Sequence, residues 1–166
     1  MGVSMVRPVV VDIDLGFKKV MAQTALLSNA EVLVGVQEGS RTVAGYTRGR
    51  RTPGGVNIAG YAADNEFGVP SKKIPPRPFM TTSFDENLQI IEGFVTRQVG
   101  LVIDGTIFPI EMLKRIGLVM EKNVKTKIRQ IMIPKNSDYT IAIKKSKKPL
   151  IDTGAMINSI RYTYKI

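Results

Sequence analysis

The sequence predicts an α+β fold: a small antiparallel or mixed sheet packed against two long amphipathic helices, with a long flexible loop. Three observations carry that reading. Helical apolar periodicity runs through two stretches between Ser83 and Ile131, split by Asp104-Gly105. Three short runs, at Val9–Ile13, Val32–Val36 and Arg161–Ile166, are β-branched or alternate apolar with polar residues. Between them, residues 37–57 are rich in glycine and arginine. Helices and strands that each have one apolar face must bury those faces against one another, which makes a layered domain.

With 166 residues the chain fits one domain, residues 1–166, large enough to bury a core without staples. It holds no cysteine and no histidine. That excludes disulfides, thiolate metal sites, histidine triads and zinc chemistry. A carboxylate-only Mg²⁺ site is chemically open, but the 14 acidic residues form no paired cluster. No cofactor is implied. The net charge of +10 predicts attraction to polyanions and equally suits a solvated basic surface. No apolar run approaches the ~18 residues of a membrane span and no signal peptide is legible, so a product made in the cytoplasm is expected, with no membrane partner.

Taken in order, Val9–Ile13 reads as a strand after a loose arm. Phe17, Val20, Met21, Thr24 and Leu27 recur at helical spacing, giving a helix to about Ser28 that Asn29 ends. Val32–Val36 is the second strand. The segment from Gln37 to Asn57 then carries too few apolar residues to offset about 1 to 2 kcal/mol of backbone entropy per ordered residue, which predicts a mobile, structureless loop. Its Arg41, Arg48, Arg50 and Arg51 are candidates for contact with phosphate or with a neighbouring subunit. Thr52-Pro53-Gly54-Gly55 lacks the Lys-Ser/Thr ending of a nucleotide loop.

Ile58 to Phe67 is a short helix closed by Gly68. Pro70, Pro75, Pro76 and Pro78 enforce an extended connector anchored by Ile74 and Phe79. Ser83 with Glu86 reads as a capping box opening a helix to about Ile103, its stripe formed by Phe84, Leu88, Ile91, Val95, Val99 and Val102. The second long helix runs from about Thr106 to Ile131 on Ile110, Leu113, Gly117, Met120, Val124, Ile128 and Ile131, with Pro109 tolerated in its first turn. A short Asp-Gly turn predicts that the two pack antiparallel. Pro149 forces a fresh start, Asp152 or Thr153 supplies a cap, and a short helix leads into a terminal strand, Arg161–Ile166. Lysines and arginines crowd residues 114–148, including Lys144, Lys145, Lys147 and Lys148 as candidate inter-subunit or DNA contacts. With no exposed aromatics interleaved, this is not a base-stacking platform.

Two blocks of residues carry a family resemblance. The first is Tyr61-Ala62-Ala63-Asp64-Asn65-Glu66-Phe67-Gly68, followed by Ile74-Pro75-Pro76-Arg77-Pro78-Phe79. The second is Pro134-Lys135-Asn136-Ser137 with Thr140-Ile141, then Lys147-Lys148-Pro149-Leu150-Ile151-Asp152-Thr153-Gly154 and Ser159-Ile160. In that order they resemble tailed-phage neck and tail-completion proteins, of the Mu-type virion morphogenesis and lambdoid minor tail component kinds. The resemblance covers about half the chain and none of residues 1–56. It implies a structural virion protein and no catalysis: a homo-oligomeric ring of 6 or 12 subunits at the head-tail junction. It also implies partners in the portal or head-tail adaptor and in the tail terminator or tail tube, with nonspecific contact to viral DNA. The alternative, carried by charge alone, is a basic nucleic-acid-binding module of cellular origin.

Overall fold

The computed structural model describes residues 16–37, 42–47 and 50–166. The expected strand Val9–Ile13 lies outside them, as do Arg41 and Arg48. Among the described residues the α+β expectation holds. Helix α1 spans Phe17–Leu27, strand β1 Glu31–Val36, β2 Thr42–Thr47, β3 Arg50–Asn57 and α2 Ile58–Phe67. The long helices are α3, Met80–Ile103, and α4, Pro109–Gln130. Two short helices follow, α5, Asp138–Lys144, and α6, Ala155–Ser159, before the last strand, β4, Ile160–Lys165.

The terminal strand finds a partner, as its alternation requires. β4 pairs antiparallel with β1 in a register that sets Val36 opposite Ile160, Val34 opposite Tyr162 and Val32 opposite Tyr164. Alternate residues of a strand share a face, so these six side chains line one side of the ribbon. Ile160 is fully buried, Tyr162 is half-buried, and the far end is open to solvent. α4 packs on both strands. α3 in turn packs on α4: Glu86 early in α3 meets Lys127 late in α4, and Gln98 meets Arg115. That order of contacts is the antiparallel arrangement the turn predicts.

The core divides in two. One cluster gathers Ile58 and Ala62 of α2, Phe79, Val124 and Ile128 of α4, Leu150, Met156 and Ile157 of α6, and Ile160. The other sits at the α3–α4 turn around Val102, Met112, Leu113 and Ile116, with Leu27 and Val32 against it. Between them lies Gly117. A Cβ built there would stand 2.6 Å from Cγ and 3.0 Å from Cβ of Tyr162, so this glycine lets β4 approach the helix.

Three expectations need correction. First, residues 37–57 are not a structureless loop: β2 and β3 form an antiparallel hairpin with a register shift between Val43 and Gly45. Cross-strand backbone bonds supply the order that apolar content does not, and β3 runs directly into α2, which anchors it.

Second, Ser83 is not the cap of α3. The helix begins at Met80, and the carboxylate of Glu66 reaches across from α2 to cap it. Glu66 Oε2 accepts from the N–H groups of Phe79 (2.8 Å) and Met80 (3.0 Å), and Oε1 accepts from the N–H (3.0 Å) and hydroxyl (2.8 Å) of Thr81. Ser83 lies 1% exposed inside the helix, and Glu86 pairs with Lys127. Ser83→Ala is therefore expected to leave the denaturation midpoint unchanged; a loss near the 1 kcal/mol typical of a removed N-cap would restore the capping box.

Third, the α3 stripe is only half right. Ile91 and Val102 are buried, with Val95 and Val99 partly so, but Phe84 and Leu88 are 45% and 38% exposed. The same holds at the start of α4, where Ile110 is exposed while Met112 and Ile116 carry the packing.

Candidate functional site

The two sequence blocks meet in space around one side chain. The Asn57 Oδ1 atom caps α2 by accepting from the Ala59 N–H, and the helix carries Asn65 and Glu66 on its buried side. Gly68 closes it with φ 76°; a Cβ there would sit 2.8 Å from the Pro76 nitrogen, so the sharp turn into the proline connector requires glycine. The connector is not extended at its start as expected: Pro70–Lys72 forms a single 3-10 turn closed by Lys73 at φ 55°, and the Val69–Ile74 bridge and the Arg77 N–H bond to the Asn65 carbonyl (2.6 Å) fold the chain back along α2. This places Arg77, 5% exposed, beneath the loop at residues 134–137.

Arg77 fastens that loop. Nε donates to the Pro134 carbonyl (2.8 Å), Nη1 to Asn65 Oδ1 (3.3 Å), and Nη2 to the Lys135 carbonyl (3.3 Å) and Asn136 Oδ1 (3.2 Å). The Ile133–Pro134 peptide is cis. Every acceptor is neutral, and no carboxylate lies within salt-bridge distance among the described residues. Burial accordingly pushes the guanidinium below its ordinary value, with nearby Tyr61 opposing. Burial likewise pushes the Tyr61 phenol up, against smaller opposing effects of Asn65 and Arg77. A lysine cannot span four acceptors on two sides of a planar fork, so Arg77→Lys is expected to cost about 2 kcal/mol in urea unfolding. An unchanged midpoint would show that the fork does not hold the loop.

Beside Arg77 opens a cleft of about 740 Å³, walled by the connector, α5 and the segment from Pro149 to Met156. Lys144, the last residue of α5, turns into it: Nζ donates to the carbonyls of Pro149 (2.9 Å) and Lys148 (3.3 Å). Burial lowers its pKa; Asp152 opposes that shift and Arg77 adds to it. Helix α5 itself was not foreseen. Its signal was present, because Ser137 Oγ accepts from the Thr140 N–H as an N-cap and Asp138 opens the first turn.

The expected contact residues thus separate. Arg50 and Arg51 lie on β3, opposite Thr47 and Tyr46. Lys145, Lys147 and Lys148 are exposed, whereas Lys144 is drawn inward. The expectation that no exposed aromatic interrupts this basic stretch is corrected at Tyr139, which is 64% exposed in the first turn of α5. Among the resembling residues, Asn65, Glu66, Arg77, Phe79, Pro149, Leu150 and Ile160 are buried, Pro75 and Gly154 are half-buried, and Pro76, Pro78, Asp152 and Thr153 are exposed. Ser159 bonds back to the Met156 carbonyl. The cap expected from Asp152 or Thr153 is corrected: the N-cap of α6 is Gly154, which has no side chain to offer, and Thr153 Oγ1 accepts from the Ala155 N–H one position inside it. Phe67 is 78% exposed.

Chemically the arrangement holds structure together. The Glu66 carboxylate is engaged by four donors and the Arg77 fork by four acceptors, which leaves neither placed for proton transfer. Among the described residues no group of three or more acidic side chains is gathered as a cation would need. No described helix is long and apolar enough to cross a membrane. No family model, curated protein or solved structure matches the chain.

Proposed function

We propose that the chain is a structural virion protein that forms an oligomeric ring at the head-tail junction of a tailed phage, joining connector to tail around the DNA channel. The observation that carries this reading is the convergence of its two resembling blocks. Residues far apart in the chain meet at Arg77, which holds the loop before α5, while Glu66 of the same block holds the start of α3. A motif used this way specifies shape, which is what a ring subunit must supply. A head-to-tail contact closes into a ring only when the subunit fixes the rotation between copies.

Surface composition supports association. Phe17, Phe67, Phe108 and Ile133 are largely exposed, and large apolar side chains at the surface are candidates for burial in an assembly. The basic charge suits a wall beside DNA without requiring sequence recognition.

Antibodies raised against the purified chain are expected to decorate the junction between capsid and tail of intact virions. Decoration elsewhere, or none on opened particles, would contradict the reading. A basic module of cellular origin would instead bind duplex DNA with an affinity that falls steeply as salt rises, without entering virions.

A further inference from the structure

We propose that the cleft beside Arg77 is a docking groove for an extended protein segment, contributed by a neighbouring protein, that carries carboxylates beside apolar side chains. The inference goes beyond the ring reading and stands without it, since it rests on the chemistry of the cleft. At about 740 Å³ the space falls within the ~300–1,000 Å³ of ligand sites.

Its charge is one-sided. Lys73, Arg77, Lys135 and Lys144 line it, with Asp152 as the acid on its wall. Neither Arg77 nor Lys144 has a carboxylate within salt-bridge distance among the described residues. Both cations are nevertheless withdrawn from water, a costly arrangement that an incoming anion would relieve. Donor capacity is also left over. Arg77 has an Nη1 hydrogen, and Lys144 a third ammonium hydrogen, beyond the bonds they make. Asn136, also on the cleft wall, has a buried Nδ2 donor without an acceptor among the described residues. A carboxylate is an acceptor-only group and matches such a lining.

The remaining walls identify a peptide over a nucleic acid. Ile74, Ile143, Leu150 and Met156 give the cleft apolar surface that a phosphate backbone cannot use. Of the aromatics on its wall Tyr61 is half-buried and Tyr139 exposed, one open ring against the succession of rings on which a single strand stacks. Phosphate readers present their cations at the surface, where a duplex can reach them. Here the two central cations are recessed and already hold backbone carbonyls. An extended segment with alternating side chains can send acids to the cations and apolar groups to the other wall.

The test is fluorescence anisotropy on the full chain with four labelled probes. These are an acetylated peptide of alternating aspartate and leucine, its serine-for-leucine and lysine-for-aspartate counterparts, and a single-stranded oligonucleotide. The aspartate-leucine peptide is expected to bind at least tenfold more tightly than each of the others. Lys144→Gln, which keeps a donor for the Pro149 carbonyl, and Lys135→Glu, which alters only an exposed side chain, should each weaken it at least tenfold. Lys122→Gln, on an exposed position of α4, should not. Equal binding of the serine peptide or the oligonucleotide would reduce the cleft to a basic surface. Undetectable binding, or binding indifferent to both cleft variants, would overturn the proposal.

Discussion

Gly117→Ala is expected to destabilise the fold by about 3 kcal/mol, the upper end of the range for adding one carbon to a packed core. The new methyl would overlap the Cγ and Cβ atoms of Tyr162. Relief is not available by rotating a flexible tip, because the clash lies at the root of the side chain. The backbone there is fixed from two sides: β4 pairs with β1 at Val34, and the Tyr162 N–H donates to Glu121 Oε2 of α4 at 3.1 Å. The cause can be isolated by repeating the substitution on a Tyr162→Ala background. With the ring removed, alanine should cost little or gain up to about 1 kcal/mol from its higher helix propensity. Equal losses in both backgrounds, read from urea midpoints, would mean that the tyrosine is not the obstacle.

Removing the Glu66 carboxylate should cost as much. Glu66→Ala leaves the N–H groups of Phe79, Met80 and Thr81 without their acceptor at a helix start that runs from buried Phe79 to exposed Thr81. Each abandoned donor carries a penalty of about 1 to 3 kcal/mol unless water reaches it, and water can reach Thr81 more readily than Phe79. A total near 3 to 4 kcal/mol follows. Glu66→Gln should lose about 2 kcal/mol, since its amide NH₂ faces donors where an oxygen stood. Amide exchange at Phe79 and Met80 should accelerate in both variants. A glutamine variant with the wild-type midpoint and wild-type exchange would show that α3 starts without this cap.

These two residues mark the boundary of what the sequence disclosed. Gly117 stood out as a glycine within an apolar stripe, yet periodicity alone cannot say which side chain approaches it. The strand that does so, β4, was legible because Tyr162 and Tyr164 alternate with polar residues. Its partner β1 was legible as a β-branched run. Their pairing brings together residues more than a hundred positions apart, a relation no local pattern encodes. Glu66 illustrates a different limit. Ser83 and Glu86 satisfy the spacing of a local capping box, and the local signal lost to a carboxylate from another helix, which offers two oxygens to four donors. The hairpin of β2 and β3 is illegible for a third reason: its order rests on backbone pairing, to which hydrophobicity is blind. The cleft had only a partial signal. Two of its cations, Lys135 and Lys144, lie in a crowded stretch of lysines, and nothing in that stretch separates inward-turned Lys144 from exposed Lys145.

Closure of the subunit into a ring, as proposed, is read from images of the purified full chain. Negative-stain particles prepared over a range of protein concentrations are expected to show end-on views with a central opening and a single rotational symmetry of six or twelve. Particles that remain single subunits at every concentration, or associate into open chains without closure, would contradict it.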